Sequence, residues 1–93
     1  MASVSVIVEP DTLDPESLRK MLEIEGCGSV VSFVGLTRGV DQGVEVERLE
    51  FDAWEEQLPS VLQSLCFDAL ERFAVKSIVV AHRTGSVEPE EPI

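Results

Sequence analysis

The sequence predicts an α+β domain in which a mixed β-sheet and two helices form two layers. Runs of β-branched residues predict strands, and two stretches with apolar residues at helical spacing predict helices. Their order along the chain is strand, helix, strand, strand, helix, strand, which is typical of this fold class. With 93 residues, 44% of them hydrophobic, residues 1–93 are expected to form a single small domain with a thin core.

The first half of the chain predicts a strand, a helix and a second strand. Valines at every second position of 4–8 indicate the first strand. Asp14 followed by Pro15 is typical of a helix start, with a capping carboxylate and a proline at the first helical position. This helix is expected to end at Gly26 and Gly28 and to bury three side chains, those of Leu18, Met21 and Leu22. Residues 29–34 are apolar on both faces, as in a central strand that is covered on two sides.

The second half predicts a loop, a strand, a helix and a last strand. Residues 36–43 contain two glycines and few large apolar groups, so we expect a flexible connection. The alternation in 44–53 changes phase after Val46, and a β-bulge near Glu47 or Arg48 would repair it. Apolar residues at helical spacing predict a second helix with Pro59 in its first turn: Leu62, Leu65, Cys66, Ala69, Leu70 and Phe73. Residues 77–81 predict the last strand, and Gly85 is expected to begin a turn.

Composition excludes several classes of partner. Eighteen acidic residues against seven basic ones give a net charge of -11, which repels nucleic acid and anionic membrane surfaces. The absence of a long apolar run and of a signal peptide pattern predicts a cytoplasmic protein. Cys27 and Cys66 are expected to be buried thiols, and with one histidine they form no metal site, so no metal or cofactor is expected.

Arg38 is the basic residue best placed to bind an anion. It follows Gly35 in a polar loop, and its planar guanidinium can pair with a phosphate or carboxylate through two hydrogen bonds. A solvated surface arginine is the alternative, and spacing alone does not distinguish the two.

His82 and Arg83 end the last predicted strand. A histidine there could act as an acid or base near neutral pH. The structural alternative is a histidine that is hydrogen-bonded to the backbone beside an arginine paired with an acid. No second catalytic group accompanies His82, and Lys20 and Lys76 are expected to lie far from Arg38, so the sequence predicts no complete active site.

Two further groups of residues have an ordinary structural interpretation. The acids Glu45, Glu47, Glu50 and Asp52 are expected to form a solvated strand face. Phe51 and Trp54 are interpreted as core residues, with a partner interface as the alternative.

Three ordered motifs, SVVSFVGLTRG, LEFDAW and IVVAHRTGSV, resemble the large-subunit family of molybdopterin synthase. That family has a β-branched strand followed by FxG, an arginine and a glycine-containing loop, then LEYEAY, and then IxxxHRxGxV. The resemblance extends over nearly the whole chain. It implies an α/β hammerhead fold and a substrate-binding role for Leu36, Thr37 and Arg38.

The resemblance also implies an activity. Members of the family convert cyclic pyranopterin monophosphate into molybdopterin with sulfur from the thiocarboxylated C-terminus of a small ubiquitin-like subunit, and two large subunits form the central homodimer of a heterotetramer. The catalytic lysines of the family lie in a later segment, so no catalytic residue is assigned here and little turnover is expected from these residues alone. Two alternatives are a dimerising interaction module without chemistry and a small-molecule sensing domain.

Overall fold

The structure, a computed structural model, describes residues 2–51 and 56–93, except for the side chains of Leu49 and Phe51. This part of the chain contains both helices and strands, which confirms the predicted α+β class. The elements in chain order are β1 (Ser3–Glu9), α1 (Pro15–Arg19), β2 (Val40–Asp41), β3 (Val44–Glu45), β4 (Leu49–Phe51), α2 (Leu58–Arg72), β5 (Ser77–Arg83) and β6 (Gly85–Val87).

Parallel and antiparallel strand pairs both occur, and they form three two-stranded sheets. β1 and β5 are parallel over seven residue pairs, from Ser3 opposite Ser77 to Glu9 opposite Arg83. β2 pairs with β3 and β4 pairs with β6, both antiparallel. Helix α2 lies against β1, and α1 approaches β5. The β1–β5 pair is therefore the centre around which the helices are arranged.

Helix α1 begins as its sequence predicts and ends earlier. The Asp14 carboxylate accepts hydrogen bonds from the Glu16 amide at 3.1 Å and from the Ser17 hydroxyl at 2.8 Å, so Asp14 caps the helix with Pro15 at its start. These hydrogen bonds, with that of Ser17 first, lower the pKa of Asp14. The predicted stop at the glycines is wrong because α1 ends at Arg19. Met21 consequently lies outside the helix and is exposed.

Helix α2 is present as predicted, with Pro59 in its first turn. Cys66 is buried, but Leu65 and Phe73 of the predicted apolar stripe are exposed. Within the described ranges, the fully buried apolar side chains are few, namely those of Leu13, Cys66 and Val87. The radius of gyration is 14.9 Å, whereas a compact chain of this length has about 12 Å. The core is therefore thin, as composition predicts.

Residues 40–45 form an ordered hairpin where the sequence predicts a flexible connection. Asp41 lies opposite Val44, so that Gln42 and Gly43 form a two-residue loop, and both have positive φ, 52° and 79°. This is the type I′ geometry whose twist matches that of the paired strands. The hairpin is closed at its base by a 2.8 Å hydrogen bond from the Val46 amide to the Gly39 carbonyl.

The phase change after Val46 separates two strands instead of forming a β-bulge. β3 ends at Glu45 and belongs to the hairpin, whereas β4 begins at Leu49 and pairs with β6. The predicted turn at Gly85 is followed at once by β6, and Gly85 itself has φ of 70°. Three of the predicted strand-face acids are exposed, namely Glu45, Glu47 and Glu50, while Asp52 and Trp54 lie outside the described residues.

The predicted central strand at 29–34 is absent from the structure. These residues have no strand or helix assignment and are exposed, with Val31 and Phe33 at 90% and 93% of their full accessibility. Residues 26–35 and 74–79 both line a cavity of about 640 Å³, so open space lies next to the segment where a sheet neighbour would be needed. A strand that is apolar on both faces needs such neighbours, which explains why the local pattern alone does not produce it.

Candidate functional site

The loop that contains Leu36 and Thr37 is held by the last residues of the chain. The Ile93 amide donates to the Gly35 carbonyl at 2.8 Å, and the Thr37 amide donates to the Glu91 carbonyl at 3.1 Å. The Glu90 amide donates to the Thr37 carbonyl at 2.7 Å, and Leu36 forms an antiparallel bridge with Pro92. Residues 35–37 thus form one side of a short antiparallel pair whose other side is 90–93.

Because this loop is extended, its side chains alternate between two environments. Leu36 is 55% exposed, Thr37 is 2% exposed, and the Arg38 side chain is 78% exposed. Neighbouring side chains of extended backbone point in opposite directions, so Leu36 and Arg38 share the solvent side. The three residues with predicted substrate-binding roles lie together in sequence, but Thr37 faces the interior. Within the described residues its hydroxyl has no hydrogen-bond partner.

Arg38 has the most exposed side chain of the five arginines. Its Nη1 atom lies 3.3 Å from Asp41 Oδ1 in the hairpin, and both side chains are more than half exposed. Such a pair contributes about 0 to 1 kcal/mol, so an anion with more charge can displace Asp41 at little cost. The backbone on both sides of Arg38 is fixed, by the pairing of Thr37 and by the hairpin. The guanidinium therefore has an exposed, easily displaced partner at its tip, while the backbone at its base is fixed.

The other arginines also have acidic partners. Arg19 pairs with Glu16 at 3.3 Å, and Arg72 pairs with Asp68 at 3.2 Å. Arg48 lies 3.0 Å from Glu50 and 4.0 Å from Glu47, and the hydrogen bond and charge of Glu50 raise the pKa of Arg48. Since Arg48 already has two carboxylates, Arg38 is the better candidate for an external anion.

Arg83 is a structural residue, as the alternative interpretation of the sequence predicts. It is 5% exposed, and its Nη2 atom donates to the carbonyls of Pro10 at 2.8 Å and Ser86 at 2.9 Å. Its Nη1 atom lies 3.5 Å from Glu91 Oε1. His82 Nδ1 lies 2.6 Å from the Arg83 carbonyl, so Nδ1 carries the proton in this contact. These contacts connect the end of β1, the turn into β6 and the chain end.

Glu91 is the acid that the sequence did not single out. Its carboxylate accepts hydrogen bonds from the Glu88 amide at 2.9 Å and from the Thr12 hydroxyl at 3.0 Å, in addition to the ion pair with Arg83. The hydrogen bond from the Glu88 amide, followed by that from Thr12, lowers the pKa of Glu91. Among eighteen acids, no local pattern distinguishes this one, because its side-chain partners Thr12 and Arg83 are not its neighbours in the sequence.

The lowered pKa of Glu91 predicts a loss of stability in acid. Since the folded-state pKa lies below the unfolded one, Glu91 stabilises the fold above the unfolded pKa, and this contribution disappears as pH falls through the folded pKa. We expect Glu91→Gln to flatten the dependence of unfolding free energy on pH between about 5 and 3, relative to the unsubstituted chain. Urea titrations at several pH values measure it, and parallel curves for both proteins would contradict the assignment.

Lys76 immediately precedes the first residue of β5. The Lys76 ammonium donates to the Glu25 carbonyl before the start of β5, whereas Arg83 lies at its end. Seven strand residues at about 3.3 Å each put roughly 20 Å between these two ends. Within 2–51 and 56–93 no three His, Cys, Asp or Glu side chains gather as a metal site, and no helix has the length and apolarity of a membrane span.

The two cysteines are free thiols, as the sequence predicts, but they differ in burial. Cys66 is buried in α2, and burial raises the pKa of its thiol. Cys27 is exposed, which corrects the expectation that both are buried. Its sulfur lies 3.7 Å from the Glu23 carbonyl.

The structure therefore describes an α+β fold that presents an exposed arginine on a loop whose backbone pairs with residues 90–93. Residues 8–93 match the family model described as MoaE protein, and the chain belongs to this family. This result confirms the resemblance that the three motifs indicate.

The chain is also similar to individual proteins whose names state a role. The chain is 27% identical to the molybdopterin synthase catalytic subunit of Pyrococcus abyssi over 90 residues, which are 97% of this chain and 61% of the relative. It is 35% identical to the protein of that name in Drosophila willistoni over 94% of this chain and 23% of the relative, and 35% identical to that in Homo sapiens over 70% and 35%. The chain thus spans less than two thirds of these relatives.

Proposed function

We propose that this chain acts in molybdenum cofactor biosynthesis as the substrate-holding part of a molybdopterin synthase catalytic subunit. Family membership supports the pathway. The single structural observation that supports the role is the Arg38 guanidinium, which is 78% exposed on a loop whose backbone is fixed by the chain end. A planar cation on a fixed base suits a phosphate group, and in this pathway that group belongs to cyclic pyranopterin monophosphate.

In this proposal Arg38 binds the phosphate and Leu36 contacts the pterin from the same solvent side. Thr37 contributes through its backbone, because its side chain is buried. Sulfur arrives on the thiocarboxylated C-terminus of a small ubiquitin-like subunit, and two copies of the catalytic subunit form the centre of the assembly. The lysines that act on the thiocarboxylate are supplied by residues other than these 93, so the present chain alone gives little or no turnover.

The proposed substrate site is tested by replacing Arg38 with alanine. We expect the dissociation constant for cyclic pyranopterin monophosphate to rise by about tenfold or more, because a charge-assisted, two-point hydrogen bond is lost. Isothermal titration calorimetry measures the effect. Arg72→Ala is the matched control, since Arg72 is also exposed and paired with a neighbouring acid, and it should bind like the unsubstituted chain. Equal affinities for all three proteins would refute the assignment.

The proposal that the catalytic lysines come from other residues is tested by an activity assay. The chain is supplied with the thiocarboxylated small subunit and cyclic pyranopterin monophosphate, and the dithiolene product is measured. We expect product at background level. Vigorous turnover by the 93 residues would show that they already contain the groups required for catalysis. The proposal that the catalytic lysines come from other residues would then be wrong.

A second candidate function is a dimerising interaction module without chemistry. The uncharged, exposed apolar residues of 30–34 favour it, because such a surface is unusual in a chain of net charge -11. This candidate predicts that no pterin phosphate binds and that Arg38→Ala leaves self-association unchanged. The calorimetric experiment therefore separates the two candidates.

A further inference from the structure

The position of Arg38 depends on a contact that lies behind its loop. Arg83, Glu91 and Thr12 form a cluster, here called the latch, in which Arg83 is buried, Glu91 is partly exposed and Thr12 is exposed. The Glu91 carboxylate lies 3.5 Å from Arg83 Nη1 and accepts a 3.0 Å hydrogen bond from Thr12 Oγ1. Arg83 also holds the Pro10 carbonyl, so the latch ties residue 91 to the segment that follows β1. The ion pair is sheltered, with side-chain exposures of 6% for Arg83 and 28% for Glu91.

The backbone of the latched segment holds the binding loop. The Glu91 carbonyl accepts a hydrogen bond from the Thr37 amide, and the Glu90 amide donates to the Thr37 carbonyl. Ile93 connects the loop with β5, because its amide donates to the Gly35 carbonyl and its carbonyl accepts from the Arg83 amide at 2.7 Å. A side-chain contact at Glu91 is thereby transmitted through main-chain hydrogen bonds to the residue immediately before Arg38.

The turn at 88–91 does not hold residues 90–93 in place by itself, so this segment depends on the latch. The Glu91 amide donates to the Glu88 carbonyl at 3.2 Å, with Pro89 and Glu90 between them, and Glu90 has φ of 71°. This is the arrangement of a type II turn, which favours glycine at the position that Glu90 occupies. A residue with a Cβ atom is strained there, so the turn does not hold 90–93 against the loop by its own preference.

We propose that Glu91 is a positioning residue that holds Arg38 in its anion-binding position through the latch and the 90–93 backbone. The proposal rests on the proposed function of Arg38. When the latch opens, the loop samples other conformations, and the apparent affinity for an anion falls in proportion to the fraction of molecules that keep the competent one.

Charge removal distinguishes positioning from simple electrostatics, because the two effects have opposite signs. Loss of one carboxylate from an acidic chain weakens the repulsion of an anion, and this raises affinity. Loss of the latch lowers affinity. Glu91→Gln is therefore compared with Asp11→Asn, which removes one exposed carboxylate next to Thr12 without touching the latch.

The probe is inorganic phosphate, titrated into the full chain at constant ionic strength and followed by the NMR signal of the Arg38 side-chain Nε–H. We expect Glu91→Gln to weaken phosphate binding by roughly tenfold and Asp11→Asn to leave it equal or tighter. Affinity in Glu91→Gln that equals or exceeds that of the unsubstituted chain would overturn the proposal.

Hydrogen exchange supplies a readout that a general loss of stability does not imitate. In Glu91→Gln the amides of Thr37 and Ile93 should exchange at least about tenfold faster, while those of Val6 and Val80 in the β1–β5 pair keep their rates. Uniform acceleration of all four amides would reduce Glu91 to an ordinary stabilising residue and overturn the proposal.

The two proposals fail in different ways. If Arg38→Ala binds phosphate as well as the unsubstituted chain, the anion-binding role of Arg38 is wrong, and no positioning role toward it remains. If Arg38→Ala loses phosphate binding while Glu91→Gln keeps it, the binding role stands and the latch proposal alone is wrong.

Discussion

Replacing Arg83 with methionine is expected to lower the free energy of unfolding by about 3 to 5 kcal/mol, because it removes one partner of a sheltered ion pair. The substitution also removes the hydrogen bonds from Arg83 to the Pro10 and Ser86 carbonyls, each of which contributes about 0.5 to 1.5 kcal/mol. A domain of this size has roughly 5 to 15 kcal/mol in total. The variant is therefore expected to be partly or wholly unfolded, as measured by far-ultraviolet circular dichroism in urea.

Arg72→Met provides the matched control for this prediction. Arg72 forms an ion pair of similar length, 3.2 Å, but both it and Asp68 are more than half exposed. Its replacement should change the unfolding free energy by less than about 1 kcal/mol. Arg83→Lys keeps the charge but not the forked geometry and should give an intermediate loss. Similar losses for Arg83→Met and Arg72→Met would mean that burial does not set the contribution of Arg83.

Phe33→Glu is expected to reduce self-association of this chain by at least about tenfold. Val31 and Phe33 lie two residues apart and are almost fully exposed, and residues 26–37 contain no charge. Burying one large apolar side chain on contact stabilises association by about 1.5 to 3 kcal/mol, which corresponds to a tenfold to hundredfold change. Sedimentation velocity over a range of concentrations measures the shift.

Phe67→Glu tests whether this effect belongs to the 30–34 segment. Phe67 is a half-exposed aromatic residue on α2, and the substitution adds the same charge. We expect a smaller change in the association constant than for Phe33→Glu. Equal changes would indicate general charge repulsion, and a monodisperse monomer at high concentration for the unsubstituted chain would contradict the prediction outright.

Sequence predicts the elements whose signals are local. The capping carboxylate of Asp14 and the strand β1, which alternating valines predict, require only neighbouring residues, and both are found, although every residue of β1 is half-buried. The strand at 29–34 was wrong because it depends on partners elsewhere in the chain. The hairpin at 40–45 was missed because Gln-Gly is a less common loop than Asn-Gly, although the two positive φ values are those of the same turn.

The candidate site could be predicted in part. The exposure of Arg38 agrees with both interpretations, an anion-binding residue and a solvated arginine, whereas the structural interpretation of Arg83 is confirmed. The motif suggests that Leu36, Thr37 and Arg38 share one surface, but the Thr37 side chain is buried. Alternate side chains of an extended segment face opposite ways. The role of Glu91 depends on Thr12 and Arg83, and a single sequence does not indicate which of many acids folds back onto them.

The parallel pairing of β1 with β5 has a consequence for synthesis in the cell. Ser3 and Ser77, whose hydroxyls lie 3.0 Å apart, are separated by 74 residues. A ribosome that adds about 5 to 20 residues per second needs roughly 4 to 15 s to make that stretch. During that time the valines of β1 have no partner strand, because β5 has not yet been made. The β1–β5 pair is thus expected to form only after β5 has been synthesised, and β1 remains unpaired until then.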